Sequence, residues 1–229
     1  MYSPYNRGGF FASIPLVIKN IIIINVLMLL LTMISKGFMI EHFALFYPAS
    51  PFFKPYQIIT HIFMHGNFGH LLFNMYALWM FGTVLEKMWG PKRFFLYYMV
   101  TGLGAAAMHM GVQWIEASSL VSTINEGGAA ATMAVEKYRQ LMGTPTVGAS
   151  GAVYGILLAY GMLFPNNQLR LMFTPFALKA KYFVIIFAVI ELVLGLIGGG
   201  NIAHFAHLGG MVFGFILVRF WKSKNRLYY

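Results

Sequence analysis

The sequence predicts an all-α protein that crosses a membrane several times, and three observations carry that prediction. Of its 229 residues, 59% are hydrophobic and 10% charged, with a mean hydropathy of +0.70, against about 25% charged in an ordinary soluble domain. Apolar runs of roughly 20 residues, the length that spans the hydrocarbon core as a helix, recur along the whole chain. Between them stand Pro91, Pro145, Pro165, Pro175 and the run Gly198-Gly199-Gly200, which interrupt helices.

In order, the apolar runs are 18–35, 58–86, 94–113, 148–164, 181–198 and 203–221, so the expected fold is a polytopic bundle of six transmembrane helices. The first run follows Arg7 and Lys19. It is longer than a signal-peptide core and lacks a small-x-small cleavage pattern, so it is expected to stay as a span. The stretch 113–147 links the third and fourth runs. It is predicted to contain a helix with Ala134, Tyr138 and Leu141 on one face, which suits surface packing. Six spans fill the chain, so a single membrane domain over 1–229 is expected, with its core at 56–221 and no separate soluble domain.

Basic residues set the orientation, because Lys and Arg are retained in cytoplasmic loops. With both termini inside, Lys36, Lys54, Lys137 and Arg139 fall on the outer side, leaving twelve of the 16 Lys and Arg on the cytoplasmic side. That bias accounts for the net charge of +10 without a nucleic-acid partner. The tail Trp221-Lys222-Ser223-Lys224-Asn225-Arg226 reads as an anchor to the lipid surface. The expected location is the plasma (inner) membrane of a bacterium.

The chain has no cysteine and no aspartate, which excludes a thiol enzyme, a thiolate metal site and a two-aspartate site. A serine enzyme built on it has no Asp to orient its base. Ser150, in Gly148-Ala149-Ser150-Gly151-Ala152, opens the fourth apolar run, and His207, in Ala206-His207-Leu208-Gly209-Gly210, opens the sixth. A nucleophile and a base thus lie at bilayer depth, where a polar side chain is a functional hypothesis by default. His70 and Asn74, spaced i, i+4, share a helix face. The Ser150 amide sits at a helix N-terminus, which favours developing negative charge, so His70, Asn74 and that amide are three candidate oxyanion donors. Gly151 with Gly155, and Gly210 with Gly214, have the GxxxG spacing that lets two helices approach closely. Tyr154, one turn after Ser150, is placed to stack on His207 and hold the ring where a carboxylate stands in a triad.

Other ionisable residues have their own readings. Glu86, between Gly82 and Gly90, is expected to be structural. Glu191 lies within the fifth run, where a charge is expensive, so it is expected to be protonated or partnered; the sequence names no partner. His61 with His65, and His204 with His207, have spacings that suit zinc. No His-Glu-x-x-His and no Asp or Cys ligand accompanies them, so no metal and no cofactor is expected.

In order and spacing, four motifs resemble those of the rhomboid family of intramembrane serine proteases. They are His61-Ile-Phe-Met-His65-x4-His70-x3-Asn74, Gly82-x3-Glu86-x3-Gly90, Gly148-Ala-Ser150-Gly-Ala-Val-Tyr154-Gly and Ala206-His207-Leu-Gly-Gly210. The resemblance runs from about Tyr56 to the C-terminus. It implies a six-helix bundle with a Ser150/His207 dyad in a water-accessible cavity, and an oxyanion site at His70, Asn74 and the Ser150 amide. Gly148 would shape the loop before the nucleophile and Tyr154 would pack on His207, with His65, Gly151 and Gly210 as further supports. Substrates would be transmembrane proteins, cut after a small residue without a cofactor. Where many relatives have Pro-Trp-Gln ahead of the second span, this chain has Pro55-Tyr56-Gln57. Two other readings stand beside it: a related membrane protein that binds clients without cleaving them, and a His-rich metal transporter or metalloenzyme.

Overall fold

The computed structural model describes residues 13–170, 177–197 and 203–224; Arg7, Pro175, the 198–200 glycines and the end of the basic tail lie outside the described residues. The helices are α1 (Leu16–Ile34), α2 (Lys36–Phe43), α3 (Gln57–Thr60), α4 (Phe68–Ala77), α5 (Thr83–Glu126), α6 (Gly128–Gly143), α7 (Ser150–Leu163), α8 (Ala180–Ile197) and α9 (Ala203–Ser223). Two short antiparallel strands, β1 (Gln168–Arg170) and β2 (Ala177–Lys179), pair Leu169 with Leu178 between α7 and α8. Among the described residues, α1, the continuous run Phe68–Glu126, α8 and α9 are long and apolar enough to cross a membrane, and α7 is a shorter apolar helix. Leu30, Leu31, Ile185 and Val189 point outward and are exposed. Apolar side chains on the outer faces of α1 and α8 suit a lipid solvent, not water.

The run Phe68–Glu126 is two helices joined at a break. Gly90 takes φ +75°, which a residue with a Cβ rarely adopts, and Pro91 follows at the first position of the next helix. A turn of π-helix, Leu78–Gly82, joins α4 to α5. Two boundaries differ from expectation. The helix expected from 58 is broken: α3 ends at Thr60, residues 61–63 form a 3-10 turn, Met64 is extended, and α4 starts at Phe68, where Asn67 caps it by accepting the His70 N–H at 2.8 Å. The helix expected to end near 113 continues to Glu126, because hydropathy falls there while helix-forming residues continue; Gly127 at φ +77° ends it. The helix predicted within 113–147 is α6, and its Ala134 and Leu141 are buried, Leu141 against Tyr47 and Ala117.

The core centres on α7. Its buried residues, among them Gly151, Ala152, Gly155, Ile156 and Ala159, occupy every face, as expected of a helix enclosed by others. Tyr97 on α5 is fully buried and donates its hydroxyl to the Gly155 carbonyl at 2.8 Å. The glycines set the spacing. A Cβ on Gly151 would overlap that of Ala105 on α5, and one on Gly210 would overlap the Gly151 carbonyl, so α5, α7 and α9 meet backbone to backbone.

Glu86 is structural, as expected, and the structure supplies its task. Its two carboxylate oxygens accept the N–H groups of Val17 and Ile18 at 2.9 and 3.0 Å, in the first turn of α1. Those donors have no intrahelical acceptor, and a carboxylate there also meets the positive end of the helix dipole. Glu86→Ala strands two donors, one of them fully buried, and is expected to destabilise the fold by about 1–3 kcal/mol. A lowered unfolding midpoint in detergent checks this.

Candidate active site

Three segments position the candidate nucleophile. The chain before α7 is pinned from both sides: Leu45 and Thr146 exchange N–H···O bonds at 2.9 and 2.8 Å, and the Gly148 N–H donates to the His61 carbonyl at 3.0 Å. Gly148 then takes φ +136°, and a Cβ there would press on the His70 ring as well as lie beside Ser150 Oγ. Ser150 is the first residue of α7, so its amide belongs to the N-terminal turn, whose N–H groups have no intrahelical acceptor.

His207 lies one turn into α9 and faces Ser150. Its Nε2 is 2.8 Å from Ser150 Oγ, a hydrogen bond between helices 57 residues apart in sequence. Tyr154 stacks on the imidazole with centroids 4.3 Å apart and planes 4° apart. A cavity of about 40 Å³ opens beside the pair, lined among others by His61, His109, Thr146, Gly148, Ser150 and His207. One water needs ~10–15 Å³, so the cavity has room for about three. Polar groups of His61, His109, Thr146, Ser150 and His207 stand in a wall otherwise made of alanines, glycines, Leu45 and Val147, and Thr146 Oγ1 is 2.6 Å from His109 Nε2.

The other expected residues sit around this pair. His70 covers Gly148, and the buried His65 packs edge-on against it with centroids 4.9 Å apart. Neither lines the cavity, which lies on the α5 and α9 side of Ser150. Asn74 is buried on α4 and gives one amide hydrogen to the His70 carbonyl at 3.0 Å, with a second donor left on the same nitrogen. Gly151 and Gly210 are the contact point of α7 and α9, one residue after Ser150 and three after His207.

Two partners escaped the sequence. Glu191 has three: its Oε1 accepts the Tyr154 hydroxyl, its Oε2 accepts from His204 Nδ1 at 2.6 Å, and the same Oε2 lies 3.0 Å from His207 Nδ1. The expectation that it is protonated or partnered thus resolves to partners on α7 and α9. Among the described residues, Glu191, His204 and His207 are also the group whose ligand atoms converge, within 4.8 Å, as metal ligands do. His61 and His65 take no part in it. The second is Gln57, fully buried, which donates to the carbonyls of Glu41 and Phe52 and accepts from Lys54, fastening the loop after α2. Its signal was the Pro55-Tyr56-Gln57 motif.

Comparison with known proteins shows what the chain is similar to. A family model described as the rhomboid domain matches residues 53–223. The chain is 31% identical over 160 residues to "Rhomboid protease GluP" of Bacillus subtilis, covering 70% of this chain and 25% of that one. It is 28% identical over 168 residues to "Rhomboid protein 1, mitochondrial" of Saccharomyces cerevisiae, covering 73% and 42%. With "RHOMBOID-like protein 12, mitochondrial" of Arabidopsis thaliana it shares 29% over 177 residues, covering 77% and 49%. The chain therefore spans a quarter to a half of the length of these relatives.

Proposed function

The chain belongs to the rhomboid family, and from that premise we propose that it is an intramembrane serine endopeptidase acting on transmembrane protein substrates through Ser150 and His207. The observation that carries the reading is the 2.8 Å approach of Ser150 Oγ to His207 Nε2. At that distance the hydroxyl proton passes to the imidazole as Oγ attacks the scissile carbonyl, and returns to the leaving amine when the peptide bond breaks. A water then attacks the acyl-enzyme, giving its proton to His207, which passes it to Ser150 Oγ as the acyl–Oγ bond breaks and the new carboxyl group leaves. The cavity beside Ser150 supplies a place for that water.

Oxyanion charge would be met by the Ser150 amide, His70 and the free amide hydrogen of Asn74. Six membrane crossings, with Phe68–Glu126 contributing two across the Gly90 break, and both termini in the cytoplasm complete the proposed topology. The length of α7 supports an active site below the outer surface. Its 14 residues reach roughly 21 Å at ~1.5 Å each, short of the hydrocarbon thickness. A helical substrate bond is shielded by its own hydrogen bonds, so the cut segment must be partly unwound, and a small residue before the bond is expected. The chain is an integral membrane protein; the compartment proposed is a bacterial plasma membrane.

Cleavage of a single-span reporter in proteoliposomes tests this. Wild-type protein is expected to cleave the reporter, to continue in chelator and to stop after fluorophosphonate treatment. Loss in chelator, with indifference to fluorophosphonate, would instead favour a metalloenzyme.

A further inference from the structure

We infer that Glu191 is a positioning residue for His207: its carboxylate, brought in by α8, holds the imidazole in the tautomer whose Nε2 is free to take the Ser150 proton. The inference rests on the protease reading above and adds to it a third side chain.

Among the 18 residues of α8, Ala180, Val184 and Glu191 are the buried ones. An acidic group turned inward from an otherwise apolar helix is costly unless it finds donors, and these are present. The Tyr154 hydroxyl takes Oε1, and His204 Nδ1 takes Oε2 at 2.6 Å. His207 Nδ1 faces the same Oε2 at 3.0 Å. The carboxylate therefore joins α7, α8 and α9 around the base, while Tyr154 holds the ring plane by stacking.

A carboxylate oxygen without a proton can only accept, so Nδ1 of His207 carries hydrogen when it faces Oε2. The lone pair is then on Nε2, where Ser150 needs it. This contact is close but does not have the alignment of a hydrogen bond, and His204 Nδ1 shares the same Oε2. Catalytic contacts are often misaligned before substrate arrives. Once His207 takes the Ser150 proton it becomes an imidazolium, and its attraction to Glu191 increases. The carboxylate thus stabilises charge that exists only during the reaction, which is the role an Asp plays in soluble triads. This chain has no Asp, and among the described residues the carboxylate that faces His207 comes from α8, a helix whose partner the sequence did not name.

Glu191→Gln keeps the shape and removes the negative charge. In the proteoliposome assay it is expected to lower kcat by about 10²- to 10⁴-fold with KM unchanged, and to slow fluorophosphonate labelling of Ser150 by the same factor. In a His207→Ala background the same substitution is expected to change nothing further, since Glu191 acts through that ring. Tyr154→Phe, which keeps the stack and removes one donor to the carboxylate, serves if Glu191→Gln does not fold; a smaller fall in kcat at constant KM is expected. Wild-type kcat and labelling in Glu191→Gln, with Ser150→Ala inert, would overturn this inference and leave the protease reading standing. Wild-type protein inert to both reporter and fluorophosphonate would remove the reading, and the inference with it. Activity lost to chelator and restored by Zn²⁺ would assign Glu191, His204 and His207 to an ion and overturn it too.

Discussion

Ser150→Ala is expected to abolish reporter cleavage while the protein inserts and unfolds as the wild type does. The substitution removes one oxygen from the first residue of a helix whose position is fixed elsewhere, by the Leu45–Thr146 pairing and by the packing of Gly151 on α9. Little stability depends on that oxygen. All of the proposed covalent chemistry does: losing the nucleophile of a soluble serine protease costs ~10⁶-fold in kcat. Reporter cleavage read by gel, alongside the unfolding midpoint, separates the two effects. Retained cleavage would place the nucleophile elsewhere.

The second large effect is expected at a residue that touches no substrate. Gly210→Val puts a side chain where the Gly151 carbonyl oxygen and carbon now lie. Backbone on a buried helix cannot rotate away as a side-chain tip can, so α9 must retreat from α7. His207 is one turn before Gly210 and Ser150 is next to Gly151, so the retreat opens the 2.8 Å contact between them. A displacement near 1 Å at a reacting centre can cost on the order of 10²-fold. We expect at least that loss in kcat, together with a lower unfolding midpoint. Gly111→Ala is the control: nothing lies within 4 Å of a Cβ there, so activity should be unchanged.

Much of this site was legible because its signals are local. Ser150, Tyr154 and the glycines stand within a single turn or two, and small residues at bilayer depth announce close packing before any contact is known. The glutamate on α8 was different. Its face depends on how an apolar helix is rotated, and a run apolar on nearly all sides does not encode that rotation. Its partners are 37, 13 and 16 residues away, on α7 and α9. Gln57 escaped for a related reason, since its bonds go to loop carbonyls that no periodicity predicts. The boundaries of α4 and α5 shifted because hydropathy reports where lipid is tolerated, whereas α4 starts where Asn67 caps it and α5 stops at Gly127.

The most direct measurement is the site of a fluorophosphonate adduct on the full chain in proteoliposomes, read by mass spectrometry in the wild type and in His207→Ala. An adduct on Ser150 is expected in the wild type and almost none in the variant, because the hydroxyl loses the proposed base 2.8 Å away. An adduct on another residue, or equal labelling of Ser150 with and without the imidazole, would contradict it.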